Sequence, residues 1–251
     1  MMINQTIDKL NYMKMFGMVA GLDEQAQNPE AASLAFEERI SLLVDREWTD
    51  RENRKLVRLL KEAKLKVPAC TENLSYSPAR GLDRSAVASL SSFEWTRAHH
   101  NVIITGATGT GKTYLSCALG TGACRCGMRT LYLRVPKLLE EIRISHLDGS
   151  YVRHMARLGR LDLLILDDWG ISALSDTEAK DFLEVIEECS DTCSIIISGQ
   201  LPPAKWHEAI ANPTIADAIC DRLIHSAYKF NLEGESMRKT QAKVEAKTDA
   251  V

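Results

Sequence analysis

The run Gly106-Ala107-Thr108-Gly109-Thr110-Gly111-Lys112-Thr113 sets glycines, a lysine and a hydroxyl residue at the spacing of a phosphate-binding loop. The residue types have separate duties. Glycines let backbone N–H groups turn inward around phosphate oxygens, forming an anion nest. A helix opening at Lys112 adds the positive end of its dipole. Lys112 would reach the β- and γ-phosphates of ATP, and Thr113 would ligate Mg²⁺. The cradle expected to hold the nucleotide runs from Gly106 through Tyr114.

Leu163-Leu164-Ile165-Leu166-Asp167-Asp168 is the second candidate. A carboxylate at the end of a buried apolar strand is costly unless it has a partner. Asp167 is expected to hold Mg²⁺, and Asp168 to polarise the attacking water.

Positioning these groups takes strands and helices in alternation. Asn101–Thr105, Thr130–Val135, Leu161–Leu166, Ser194–Ser198 and Tyr228–Leu232 are apolar runs of strand length. Helical stretches lie between them: one from the Gly-rich turn to Cys126, one from Pro136 to about His146, and one over 176–189. Such alternation predicts a parallel sheet covered on both faces. Upstream, the first seventy residues read as helical. Leu56, Leu59, Leu60, Ala63 and Val67 recur at helical spacing over 52–66, and Val67-Pro68 ends the helix. Its other face carries Arg54, Lys55, Arg58 and Lys61, a basic stripe. Pro68, Ser75, Ser77, Pro78 and Gly81 mark a linker.

The chain has 251 residues and a formal net charge of -3, a value that by itself argues against a nucleic-acid protein. The segment 46–66 departs from that average, with eight basic residues against four acids. There is no apolar run long enough to cross a membrane, and no basic-then-apolar leader at the N-terminus. The seven cysteines suit a reducing cytoplasm. Cys124-Arg125-Cys126 and Cys189…Cys193 lack the paired Cys-x-x-Cys spacing of a zinc site. Trp48, Trp95, Trp169 and Trp206 fit core packing or interface anchoring better than base stacking.

The loop, the acid pair and the downstream run together resemble AAA+ ATPases of the helicase-loader branch, most of all the IstB-like transposition helper ATPases of insertion sequences. The most specific stretches are Ser198-Gly-Gln-Leu-Pro-Pro-Ala-Lys-Trp-His207, Asn212-Pro-Thr-Ile-Ala-Asp-Ala-Ile-Cys-Asp-Arg-Leu223 and Gly234-Glu-Ser-Met-Arg238. Phe36-Glu-Glu-Arg-Ile-Ser-Leu-Leu-Val-Asp-Arg-Glu47 and Ala79-Arg-Gly-Leu-Asp83 extend the likeness over nearly the whole chain. The resemblance implies an α/β fold: a P-loop AAA+ ATPase with a parallel sheet flanked by helices, a small N-terminal helical domain and a minimal C-terminal lid. It implies that Gln200, with Ser198 as second candidate, senses the γ-phosphate. Arg222 matches the arginine finger given to a neighbouring subunit, and Arg238 the second sensor arginine. Many AAA+ proteins carry Glu where this chain has Asp168; the resemblance leaves two readings, the Asp-Asp pair common in the loader branch or a shorter acid with slow hydrolysis. It also implies DNA binding, with Arg54, Lys55, Arg58 and Lys61 as candidate phosphate contacts and Arg125, Arg129 and Arg134 as candidates for a DNA-facing side, a solvated charged face being the alternative for the first four.

The expected division is an N-terminal helical domain for DNA or partner binding over 1–67, a linker over 68–98, the ATPase domain over 99–238 and a flexible tail over 239–251. The expected function is a cytoplasmic, ATP-dependent DNA-binding protein that oligomerises on duplex DNA and assists a partner transposase in target selection. The expected partners are double-stranded DNA, the transposase and further copies of the chain, with no membrane. Two alternatives share much of this pattern. One is a replicative helicase loader acting mainly as a protein adaptor. The other is a small-molecule kinase, which has the same loop but no need of Arg222 from a neighbour.

Overall fold

The computed structural model of the protein describes residues 2–76, 80–234 and 236–237. Chain contacts divide it into two compact units, one up to Arg58 and one from Leu59 onward.

The first unit is helical. It contains α1 (Met2–Tyr12), α2 (Phe16–Gln27) and most of α3 (Phe36–Ala63). Glu47 on α3 is buried, and its carboxylate accepts the N–H groups of Gly17 (2.8 Å) and Met18 (3.2 Å). These are orphan donors at the start of α2, so one side chain ties the two helices together. The helix predicted over 52–66 is the second half of α3, and it stops earlier than the apolar spacing suggests. Lys64 takes a left-handed φ of 50°, which ends the helix at Ala63, before Pro68 can act.

The second unit carries a five-stranded parallel sheet in the order β2-β3-β4-β1-β5. Its strands are β1 (Asn101–Gly106), β2 (Thr130–Arg134), β3 (Leu163–Trp169), β4 (Ser194–Gly199) and β5 (Ala227–Leu232). Both sheet faces are covered. On one lie α7 (Val135–Asp148), α8 (Tyr151–Leu158), α9 (Asp176–Cys189) and α11 (Pro213–Ile224), packed on Ile103, Leu164, Leu166, Ile195 and Ile197. On the other lie α4 (Arg84–Leu90), α5 (Glu94–Arg97) and α6 (Lys112–Arg125), packed on Val102, Ile104, Leu163, Ile165 and Ile196. Alternate residues of each strand supply the two cores, as a strand's period of two demands. A short α10 (Trp206–Ala209) precedes α11.

Two sequence expectations change here. The stretch expected as linker over 68–98 is core from Leu82 onward: Val87, Leu90, Phe93 and Trp95 are all buried under the sheet. Asp83 caps α4 by accepting from the N–H groups of Ser85 and Ala86, so polar residues that read as linker are a helix start. Strand β3 begins at Leu163 rather than Leu161, because the Asp162 carboxylate turns to accept the Arg129 N–H (2.7 Å). The strand then runs through both acids to Trp169, with a register break between Leu166 and Trp169. Three of the four tryptophans are core (Trp95, Trp169 and Trp206), while Trp48 is exposed. Ser77, Pro78 and Ala79, Arg238 and the tail over 239–251 lie outside the described residues.

Candidate nucleotide site

The sheet order sets β4 between β1 and β3, so the loop after β1 and the acids of β3 meet across the end of β4. That loop turns through Gly106 (φ 147°), Gly109 (φ 86°) and Gly111 (φ 102°). Side chains rarely adopt these values, and a Cβ on Gly106 would stand 2.2 Å from the Leu232 carbonyl oxygen. Lys112 opens α6, and its Nζ donates to the carbonyls of Gly106 and Ala107, both at 2.8 Å. Burial lowers the Lys112 pKa below the ordinary lysine range, and Asp167 and Asp168 work against that shift.

Asp167 is the buried centre of the site. Its carboxylate accepts three hydroxyl groups: Ser198 Oγ (2.5 Å), Thr113 Oγ1 (2.7 Å) and Tyr132 Oη (2.7 Å). Burial alone would raise its pKa, yet these three donors and the Asp168 N–H outweigh burial and hold it below the usual carboxylate value. Burial, together with the bond to Asp167, pushes the Tyr132 phenol well above its ordinary range. Asp167 and Thr113 offer carboxylate and hydroxyl oxygens side by side at the lysine, a hard-oxygen pair that fits Mg²⁺.

Asp168 points elsewhere. The register break of β3 falls on it, and its φ is 63°, a strained value for a residue with a side chain. Its carboxylate accepts from Arg134 Nε at the end of β2. Arg134 was a candidate for DNA, and the structure turns it toward this acid instead. Arg125 is likewise engaged, with Glu72 at 2.7 Å.

The other predicted residues fall at different distances from this centre. Ser198 is in it, and Gln200 is exposed just past β4 with no hydrogen bond among the described residues. Arg222 lies on α11, across the sheet from α6. It donates to Glu187 Oε1 (2.8 Å) and to the Ala218 carbonyl (3.2 Å). The nearby acids Asp217 and Asp221 face His207 and His225. Arg54 pairs with Asp50 at 2.7 Å on α3, whereas Lys55, Arg58 and Lys61 are exposed with no carboxylate partner among the described residues.

Three contributors escaped the sequence reading. Tyr132 reads as strand filler, although a phenol on a buried strand needs an acceptor. Arg80 Nη2 donates to the Thr110 carbonyl at 2.7 Å and so braces the phosphate loop from outside. Met237 N–H donates to the Gly109 carbonyl at 3.0 Å, which brings the C-terminal segment onto the same loop. Between them lies a cavity of about 360 Å³, with Val67, Leu74, Leu82, Tyr114 and Met237 on its apolar wall and Lys112 at its polar end. A wall of this kind beside a phosphate loop suits an aromatic base.

A phosphate loop before α6, paired acids on the neighbouring-but-one strand and a parallel sheet in this order define a nucleotide-binding protein of the P-loop AAA+ class. The IstB-like ATP binding protein family matches residues 8–246, and the chain belongs to that family. It is 44% identical over 241 residues to the insertion sequence ATP-binding protein y4pL of Sinorhizobium fredii, covering 96% of this chain and 98% of that one. The ATP-binding protein of insertion sequence IS1162 from Pseudomonas fluorescens is 46% identical over 214 residues, covering 85% and 93%. Among solved structures, AMPPCP-bound DnaA from Aquifex aeolicus superposes with a TM-score of 0.59 at 19% identity, over 74% of this chain and 56% of that one. The DnaC helicase loader gives 0.55 at 15% identity, over 70% and 99%. At such identities the likeness is one of fold. Among the described residues, no helix is long and apolar enough to cross a membrane.

Proposed function

We propose that this protein is a Mg²⁺-dependent ATPase that oligomerises on duplex DNA and assists a partner transposase in choosing a target during insertion-sequence transposition. The observation that carries the ATPase part is the Asp167 cluster: a buried carboxylate bonded to Thr113 beside Lys112 on a phosphate loop. Relatives named for insertion sequences, similar over nearly the full chain, support the transposition part. The likeness to a helicase loader is carried by fold alone, which favours the transposase over a helicase as the protein partner.

In this reading the loop N–H groups and Lys112 hold the phosphates of ATP, and the base lies against Tyr114 and Met237. Thr113 and Asp167 would hold Mg²⁺, which offsets the negative charge of the β- and γ-phosphates when bound. Asp168, once free of Arg134, accepts hydrogen bonds from the attacking water. Arg222 acts on the ATP of a neighbouring subunit, where its charge stabilises the transferred phosphoryl group. Gln200 or Ser198 reports the γ-phosphate. ATP between subunits then joins them into an array along DNA, with residues 1–67 contacting DNA or the transposase. Hydrolysis releases the array.

Sedimentation of the full chain with duplex DNA and a non-hydrolysable ATP analogue tests this directly. Assembly larger than a monomer that requires both is expected, and a monomer under every condition contradicts it.

A further inference from the structure

Beneath the edge strand β2, at the end of the sheet away from the phosphate loop, lies an open groove of about 510 Å³. Four arginines line it: Arg129 before β2, Arg153 and Arg157 on α8, and Arg160 two residues past that helix. Arg153, Arg157 and Arg160 are exposed and, among the described residues, none is paired with a carboxylate. Arg129 alone is engaged, with Asp162 at 3.2 Å. Glu62 is the sole acidic residue on the wall.

We infer that this groove binds the sugar-phosphate backbone of duplex DNA, with Arg153, Arg157 and Arg160 as phosphate contacts. The inference rests on the DNA-binding reading above and supplies a surface for it within the ATPase unit. Arg153 and Arg157, four residues apart, share one face of α8, and Arg160 follows past the helix on the same wall of the groove. A guanidinium fork suits phosphate oxygens better than an ammonium does. The wall holds no aromatic ring on which an unpaired base could stack, and no Asn or Gln to read a base edge. Both absences favour a duplex gripped by its backbone without regard to sequence. The groove and the nucleotide cavity lie at opposite ends of the sheet, so one subunit can hold DNA and ATP together.

The test is fluorescence anisotropy of the full chain on a labelled mixed-sequence duplex, with a non-hydrolysable ATP analogue, across a salt series. The variant is R153Q/R157Q/R160Q, whose three sites are exposed; a fluorescent ATP analogue checks that its nucleotide site is intact. DNA affinity should fall at least about ten-fold, with the slope of log K against log salt flattened by about 0.9 for each lost contact. Nucleotide binding of the variant should match wild type, and so should its ATP-dependent sedimentation once duplex DNA is raised to saturation. Unchanged affinity and slope, in a variant that binds nucleotide, overturn the groove while leaving the DNA reading intact. A wild-type chain that binds no duplex overturns both. Polyglutamate competing as well as DNA at equal charge, or assembly still lost at saturating DNA, would assign the groove to a protein partner or subunit contact and overturn it.

Discussion

The Lys112 ammonium is half-buried, bonded to two loop carbonyls, and close enough to Asp167 and Asp168 to feel their charge. Its lowered pKa has a consequence for binding. Phosphate favours the charged lysine, so nucleotide affinity should fall as pH rises through the Lys112 pKa, at values below the ordinary lysine value of about 10.4. Titration of nucleotide affinity from neutral to alkaline pH checks this. Lys112→Arg, which keeps its charge, should move the fall to higher pH. A decline beginning only above the ordinary lysine range would contradict the burial argument. Lys112 and Asp167 were legible from residue types alone, because a complete loop and an acid after an apolar strand leave few alternatives. The partners of the acids were not. That Tyr132 serves Asp167 and Arg134 serves Asp168 depends on β2 pairing with β3 in one register, Arg134 opposite Asp167, which no local pattern encodes.

At the scale of elements, strand runs such as Ser194–Ser198 and the helix over 176–189 were readable because each is strongly apolar or strongly periodic. The helix α8 was missed, being a single short amphipathic stretch between two elements that read as adjacent. The segment before β1 was misjudged for a different reason. Pro68, Ser75, Ser77, Pro78 and Gly81 look like a linker, yet just beyond them Asp83 caps the first of two short helices whose apolar residues fill the lower core. Leu90 is fully buried there. Leu90→Ala should therefore destabilise the second unit by about 2–5 kcal/mol, read by denaturant unfolding. A change within about 0.5 kcal/mol, as at an exposed site, would restore the linker reading.

For the whole molecule, a net charge of -3 conceals how charge is distributed. Arg46, Arg51 and Arg54 on α3 are paired with carboxylates of their own unit, whereas, among the described residues, Arg153 and Arg157 of α8 form no ion pair with a carboxylate. The fold class and the nucleotide loop were evident from the alternation of strands and helices around one motif. What surrounds Arg222 was not, since its partner Glu187 comes from another helix, α9. That bond lies on the sheet face away from α6, and the finger role proposed for Arg222 would be exercised in another copy of the chain. Complementation between two inactive chains tests that role most directly. Arg222→Ala leaves a complete nucleotide site without a finger, and Lys112→Ala leaves a finger without a nucleotide site. Mixed on duplex DNA, they should hydrolyse ATP faster than either alone, because mixed interfaces join the intact halves. Turnover in the mixture no greater than that of the separate variants would contradict an ATP site shared between subunits.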